Sequence, residues 1–205
     1  MTFQLTDEDG EFLVRLARSA IEAYLRDGMK ISVPEVPERL RRKCGVFVTL
    51  RKVMDGKKVL RGCIGYPYPT HVLVDALIDS AINSAVGDPR FPPVSLDEMD
   101  HVVVEVSVLT PPELVEAEDP REYPKLIKVG RDGLIVERGF YRGLLLPQVP
   151  VEFGWDEEEF LSQCCIKAGL PPDYWLVEGT KIYRFQAIVF EEKSPRGPVE
   201  RVRLT

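Results

Sequence analysis

The chain has 205 residues, of which 44% are hydrophobic and 29% are charged, and its net charge is −6. This length and apolar content suffice for one large domain or two small lobes. The negative charge argues against a general binder of nucleic acid or anionic membranes. No run of about 18 apolar residues could span a membrane, and the acidic residues 1–10 do not resemble a signal peptide. We therefore expect a soluble, cytoplasmic protein.

The rest of the composition argues against a metal centre. The four cysteines are Cys44, Cys63, Cys164 and Cys165, and none forms a Cys-x-x-Cys pair. The two histidines, His71 and His101, are too far apart to suggest zinc-ligand spacing. No nucleotide-binding glycine pattern occurs, so we predict no metal and no cofactor. The high charge content and the single asparagine, Asn83, are typical of thermophile proteins.

The first half of the chain predicts two helices and a hairpin. Thr6 and the acidic residues 7–9 indicate the start of a helix that ends at Gly28. Residues 46–51 and 57–65 predict strands joined at Asp55-Gly56, a strong turn signal. With a two-residue turn, Cys63 would lie opposite Val48, and Arg61 opposite Leu50. Thr70 then predicts the N-cap of a second helix.

The second half continues as a mixture of strands and helices. Residues 101–109 carry valine at five of nine positions and predict a central strand, on which Glu105 and Ser107 share a face. The remaining predicted elements are a hairpin of residues 133–137 and 141–146 around Arg138-Gly139, a helix with a capping box at Asp156 and Glu159, a strand over 181–190 and an edge strand over 199–204. Helices and hairpins alternate without regular strand–helix–strand units, so we predict an α+β fold with an antiparallel sheet flanked by helices.

The most informative segment is the predicted strand LRGCIG at residues 60–65. On a regular strand Arg61 and Cys63 would share one face, roughly 7 Å apart. Gly62 and Gly65 remove side-chain bulk, as a strand does where a ligand or another backbone comes close. The segment therefore predicts a ligand site.

The chemistry of this candidate site has alternatives. Arg61 could bind a carboxylate or phosphate through parallel hydrogen bonds, or form a structural ion pair with Glu105 or Asp88. Glu105 interrupts a valine-rich strand, so it must be paired, at an edge or facing a cavity, where it could transfer protons. Cys63 could be a nucleophile beside a cation, a ligand contact, or a small buried residue.

Two further groups of charged residues carry open interpretations. Asp88 and Arg90, in the proline-rich loop 87–93, either bind ligand or hold the loop in place. The basic cluster consists of Arg39, Arg41, Arg42 and Lys43. It indicates a solvated face, with nucleic-acid binding as an alternative that the acidic net charge disfavours.

Taken together, the motifs resemble the AMMECR domain family. The resemblance rests on LRGCIG (60–65), DPRFPP (88–93) and VSVLTPP (106–112), and continues through GRDGL (130–134), GLLLPQV (143–149) and KAGL (167–170). It implies one α+β domain over residues 1–205, with a larger and a smaller lobe interleaved in sequence and a cleft lined by the Arg61-Gly62-Cys63 strand. The YPYP segment (66–69) and Pro150 depart slightly from the usual pattern.

No agreed activity accompanies this resemblance. Our first hypothesis is an enzyme, or an enzyme component, that binds a small polar or anionic ligand in the cleft. Arg61, Gly62, Gly65, Asp88 and Arg90 would bind the ligand, and Cys63 and Glu105 are the candidate catalytic groups. The alternative is a non-catalytic adaptor, because the family is sometimes encoded or fused with Memo-like and radical-SAM proteins.

Overall fold

The structure is a computed structural model, and it describes residues 4–203. Its helices are α1 (Asp7–Asp27), α2 (Leu73–Val86), α3 (Tyr123–Leu126), α4 (Gln148–Phe153) and α5 (Glu157–Lys167). Its strands are β1 (Gly45–Met54), β2 (Lys57–Tyr66), β3 (Val102–Leu109), β4 (Glu113–Leu114), β5 (Gly133–Arg138), β6 (Tyr141–Leu145), β7 (Lys181–Phe185), β8 (Ala187–Glu192) and β9 (Val199–Val202). Within the described residues, no helix is long and apolar enough to cross a membrane.

The α+β fold with antiparallel sheet and flanking helices is confirmed, and the strands form two antiparallel sheets. The chain divides into two compact units. Unit 1 comprises residues 4–109 and 188–202, and unit 2 comprises residues 110–187 with residue 203. The cleft that we expected between two lobes stays a prediction.

Unit 1 contains a five-stranded sheet in the order β2-β1-β3-β8-β9. Helices α1 and α2 pack on one face, against the even-numbered residues of β1 and β3. These residues are fully buried: Val46, Val48, Leu50, Val102, Val104, Val106 and Val108. Because successive side chains of a strand alternate between faces, the odd-numbered residues of β1 and β3 lie on the opposite face. As predicted, β3 is the central strand, and all of its residues are buried.

The ends of the unit 1 helices agree only partly with the sequence signals. Thr6 caps α1 through a complete capping box with Asp9, and Gly28 ends the helix in the left-handed conformation. The predicted cap at Thr70 is wrong, because α2 begins two residues after His71 with Val72 as its N-cap. The Thr70 hydroxyl instead bonds the carbonyl of Tyr68 and the His71 ring.

Unit 2 contains a four-stranded sheet in the order β4-β7-β5-β6, with α5 packed on β5 and β6. The predicted hairpin is present, but its turn is Gly139-Phe140, because Arg138 still pairs with Tyr141. The capping box predicted for α5 is half formed. The Asp156 carboxylate accepts the Glu159 amide, whereas the Glu159 side chain accepts a hydrogen bond from Gln163.

The strand predicted over 181–190 is two strands in different sheets, β7 and β8. The interruption lies at Gln186, whose carbonyl and amide bond the amide and hydroxyl of Thr110 rather than a neighbouring strand. The last strand, β9, lies at the sheet edge, as predicted. Leu204, the predicted end of that strand, lies outside the described residues.

Candidate functional site

A β-bulge in β2 determines the geometry of the LRGCIG segment. The hairpin register counted from the Asp55-Gly56 turn holds as far as Leu60, which lies opposite Arg51. The next β1 residue, Leu50, lies opposite Gly62. Arg61 is therefore the extra residue of the bulge, and every later pairing is shifted by one.

The bulge places Arg61 and Cys63 in different surroundings. Cys63 lies opposite Thr49, so the predicted pairing with Val48 is wrong. Arg61 instead reaches Glu98, which also binds Lys52. Because Lys52 is an even-numbered residue of β1 and Thr49 an odd-numbered one, the predicted shared face for Arg61 and Cys63 is wrong as well.

The guanidinium of Arg61 is held by protein acceptors. Its Nε lies 2.8 Å from Glu98 Oε1 and its Nη2 lies 3.1 Å from Glu98 Oε2, a bidentate ion pair. Its Nη1 donates to the carbonyl of Pro92 at 2.9 Å, and Nη2 also reaches the carbonyl of Pro93. The predicted structural ion pair thus exists, but its partner is Glu98 rather than Glu105 or Asp88. A ligand would have to displace these contacts.

The two glycines of the segment make room for neighbouring protein atoms. A Cβ on Gly62 would lie 2.0 Å from the backbone carbonyl oxygen of Ser84 in α2. A Cβ on Gly65 would lie 2.2 Å from the carbonyl oxygen of Val46 and 2.5 Å from the ring of Phe47. Of the two sequence-based interpretations, the close approach of another backbone is therefore the one that the structure shows.

A row of polar side chains crosses the face of the sheet opposite the helices. Cys63, Thr49 and Glu105 are successive partners across β2, β1 and β3. The Thr49 hydroxyl donates to the Cys63 thiol at 3.3 Å, and Arg51 Nη2 donates to Glu105 Oε2 at 3.1 Å. Ser107 follows Glu105 on the same face, as predicted, and both are buried. We call Cys63, Thr49, Glu105, Ser107 and Arg51 the polar row.

The environment of Cys63 favours the neutral thiol. Burial raises the pKa of Cys63, and the carboxylates of Glu105 and Asp88 add to this effect. The Thr49 hydrogen bond and the charge of Arg90 oppose it without reversing it. The other cysteines are also free and are fully buried, and burial raises the pKa of Cys44 and Cys165 to about 11 and that of Cys164 to about 12.

Asp88 and Arg90 form an ion pair with each other at 2.7 Å and contact the main chain of Cys63. Asp88 Oδ2 accepts the Cys63 amide at 2.9 Å, and Arg90 Nη2 reaches the Cys63 carbonyl at 3.3 Å. The Arg90 hydrogen bonds hold the pKa of the Asp88 carboxyl well below its usual range. Both residues therefore hold the loop in place, and their role in ligand binding stays a prediction.

The basic cluster of residues 39–43 is not a uniform cationic surface. Arg39 forms a bidentate pair with Asp9, at 2.8 to 3.0 Å. Arg41 borders an open concavity of about 510 Å³, lined by Val33, Pro34, Glu35, Arg41, Val72, Val74 and Asp75. The two carboxylates in this lining oppose the binding of a phosphate backbone.

Sequence reasoning missed Thr49, Arg51 and Glu98. Strand alternation could have linked Thr49 and Arg51 to the face of Glu105, since i and i+2 residues share a face. No local signal marks the bulge at Arg61, which decides whether Arg61 lies with the polar row. Glu98 lies in a 3₁₀ turn that precedes β3, and only the folded chain brings it to Arg61.

Comparison with known proteins agrees with the resemblance of the motifs. The AMMECR1 family model matches residues 14–190, and the chain belongs to this family. Protein PH0010 from Pyrococcus horikoshii is 64% identical over 203 residues, covering 98% of each chain. Protein MJ0810 from Methanocaldococcus jannaschii is 60% identical over 200 residues, with the same coverage.

A solved structure shows the same fold. The crystal structure of the uncharacterized protein PH0010 superposes with a TM-score of 0.85 at 63% identity, covering 97% of this chain and 98% of that chain. The relatives come from thermophilic archaea, in agreement with the composition of this chain.

Proposed function

We propose that this protein binds a small anionic ligand at the polar row, with Arg51 holding the anionic group. The observation that carries this proposal is that most hydrogen-bond donors of the Arg51 guanidinium have no protein acceptor among the described residues. Among the described residues, its one hydrogen-bond acceptor is Glu105, which contacts Nη2. The donors at Nε and Nη1 therefore remain available, and the side chain is 34% exposed. A guanidinium with two free donors is suited to a carboxylate or a phosphate.

The rest of the polar row supports the same interpretation. On the helix-packed face of the sheet, β1 and β3 bury only aliphatic side chains. The opposite face carries a thiol, two hydroxyls and a carboxylate, although burying polar groups costs free energy unless they find partners. Since apolar residues would pack at lower cost in a purely structural role, we attribute the polar side chains of this row to ligand contact.

Each member of the row has a distinct role in this proposal. Arg51 replaces Arg61, whose donors contact Glu98 and two carbonyl groups, as the residue that binds the anion. Glu105 orients the Arg51 guanidinium and could exchange a proton with the ligand. Cys63 contacts the ligand as a neutral thiol, because its raised pKa disfavours a thiolate near neutral pH.

The proposal is tested by ligand-induced thermal stabilisation. Wild-type protein would be titrated with inorganic phosphate and with a panel of mono- and dicarboxylates at low salt. We expect Arg51→Met to abolish the shift that the best anion gives, and Arg51→Lys to weaken it. The control is Arg121→Met, which removes a guanidinium that is 82% exposed in unit 2. Equal shifts for wild type and Arg51→Met would refute the proposal.

One observation favours the adaptor alternative. Phe140, at the turn of the β5–β6 hairpin, is fully exposed, and Tyr141 beside it is more than half exposed. Aromatic residues are enriched at the contacts between proteins. A purified Memo-like or radical-SAM protein should then bind the wild-type chain, and Phe140→Ser should weaken the complex. Equal affinity for both forms would count against this alternative.

A further inference from the structure

The tripeptide Asp-Pro-Arg occurs twice in the chain, at residues 88–90 and 119–121. Both copies fold in the same way, with the arginine amide and guanidinium returning to the aspartate. The Arg90 amide lies 3.1 Å from Asp88 Oδ1, and the Arg121 amide lies 2.9 Å from Asp119 Oδ1. The Nε atoms reach the same oxygens at 2.9 and 3.2 Å. The local turn is therefore a property of the tripeptide itself.

The two copies differ in what else they contact. Asp88 is 3% exposed and also accepts the amide of Cys63, while Arg90 also donates to the carbonyl of Cys63. Asp119 and Arg121 are 46% and 82% exposed, and among the described residues their side chains bond only each other and the Arg121 amide. The first copy thus adds two long-range hydrogen bonds to the same local turn, and both end on one residue.

These two bonds satisfy main-chain groups of Cys63 at the edge of the sheet. Among the strands that the structure describes, β2 is the outer one of its sheet, so no further strand bonds the Cys63 amide and carbonyl. We infer that Asp88 and Arg90 are positioning residues that fix the main chain of Cys63 and thereby hold its thiol against Thr49 in the polar row. This inference rests on the proposed function, because it explains how one member of the proposed site is kept in place.

The loop that carries both residues is also fixed from its other end. Arg61 bonds the carbonyl groups of Pro92 and Pro93, and its guanidinium lies 6.0 Å from the centre of the Phe91 ring. Arg90 lies 5.5 Å from the same ring. Loop 87–93 therefore contacts β2 at the bulge residue Arg61 and again at Cys63, two residues further along the strand.

The positioning residues also act on the ionisation of the thiol. The charged groups that act on Cys63 are Glu105 on β3 and Asp88 and Arg90 on loop 87–93, while β1 contributes the Thr49 hydroxyl. Asp88 opposes the thiolate and Arg90 favours it. Loss of Asp88 should therefore lower the pH at which Cys63 is alkylated, and loss of Arg90 should raise it. A loop that is only loosened would not shift the two midpoints in opposite directions.

The first experiment compares Asp88→Asn with Asp119→Asn in the full chain, without any ligand. Amide hydrogen exchange at Cys63 is followed by NMR. We expect Asp88→Asn to speed exchange at this amide by about tenfold, the effect of losing a hydrogen bond to a charged group. Asp119→Asn should leave the rate within about twofold, because the Asp119 carboxylate makes no hydrogen bond to Cys63 and bonds only Arg121 among the described residues. Equal effects of the two variants would overturn the inference.

The second experiment measures Cys63 alkylation by iodoacetamide against pH, with peptide mass spectrometry to separate the four cysteines. We expect the midpoint to fall in Asp88→Asn and to rise in Arg90→Gln, with Arg121→Gln matching wild type. Because Arg90 is 54% exposed, we expect Arg90→Gln to fold, and it tests the inference even if Asp88→Asn does not fold. Unchanged midpoints in the folded variants would overturn the inference. Neither readout uses the anion titration of Arg51 variants, so a failure of this inference is distinguishable from a failure of the proposed function.

Discussion

The Thr49 hydroxyl donates a hydrogen bond to the Cys63 thiol across the β1–β2 pair, at 3.3 Å. Thr49 also lies opposite Glu105, so the thiol of the edge strand and the carboxylate of the central strand flank one residue of β1. The bond stabilises the thiolate relative to the thiol, against the larger effect of burial. Thr49 is therefore the β1 residue whose hydrogen bond lowers the pKa of Cys63, in opposition to burial.

The first prediction concerns this hydrogen bond. Thr49→Val keeps the shape of the side chain and removes the donor, so the pKa of Cys63 should rise. A hydrogen bond worth about 1 kcal/mol corresponds to an upward shift of about 0.7 pH units in the alkylation midpoint. The measurement is the rate of iodoacetamide labelling of the Cys63 peptide between pH 7 and 11. The buried Cys44 serves as an internal reference, and an unmoved midpoint would contradict the prediction.

The second prediction concerns Gly62. The Cβ of Gly62→Ala would lie 2.0 Å from a backbone oxygen of α2, so helix and strand must separate. We expect a loss of about 3 kcal/mol in the free energy of unfolding, as for an overpacked core. Gly56→Ala is the control, since its Cβ meets open space and only its φ of +74° opposes the change, at about 1 kcal/mol. Urea unfolding followed by circular dichroism gives both values, and a loss at Gly62 no larger than at Gly56 would refute the close approach.

The third prediction concerns a buried ion pair in unit 1. Arg18 and Glu192 are 4% and 0% exposed, and their two hydrogen bonds are 2.6 and 2.7 Å long. Arg18 also donates to the carbonyl of Val102, and Glu192 accepts the amide of Val104. Glu192→Gln should lower the free energy of unfolding by about 3 kcal/mol, because the buried Arg18 guanidinium then keeps only Glu22 as its counter-charge.

The control for this pair is Glu200→Gln, which breaks an exposed pair with Lys193 and should cost less than about 1 kcal/mol. The double variant Arg18→Met/Glu192→Gln should lose less than the sum of the two single losses, since no unpaired charge then remains. Denaturant unfolding of the four proteins makes the comparison. Additive losses would show that the two charges do not act as a pair.

The fourth prediction concerns acid pH. The Arg61 hydrogen bonds, followed by those of Lys52, hold the pKa of Glu98 below its usual range. A carboxyl whose pKa is lower in the folded state stabilises the protein above its unfolded pKa of about 4.3, and this stability is lost as the pH falls through the folded value. The difference in unfolding free energy between wild type and Glu98→Gln should therefore be constant from pH 7 to about pH 5.

Below about pH 4 the same difference should shrink, because wild-type Glu98 then becomes protonated like its neutral replacement. Urea unfolding at a series of pH values from 7 to 3 measures it. Asp88 has a lowered pKa as well but is unchanged in the variant, so its effect cancels in the difference. A difference that stays constant down to pH 3 would contradict an ion pair between Arg61 and Glu98.

Local signals in the sequence determined the elements that begin and end with distinctive residues. Thr6 and Gly28 mark the two ends of α1 for local reasons. The Thr6 side chain accepts a backbone amide of the first turn, and Gly28 adopts the left-handed conformation that ends the helix. Asp55-Gly56 forms the β1–β2 turn for a similarly local reason. The motifs also identified the family, and the valine content of β3 marked it as a central strand.

Only the tertiary structure decided the register beyond Leu60 and hence the membership of the polar row. The bulge at Arg61 is favoured by the distant acceptors Glu98, Pro92 and Pro93, which no local pattern of residues encodes. One inserted residue reverses which side chains share a face, because strand side chains alternate with a period of two. The sequence therefore determined which residues line this strand, and the folded chain decided that Cys63 faces Thr49 while Arg61 does not.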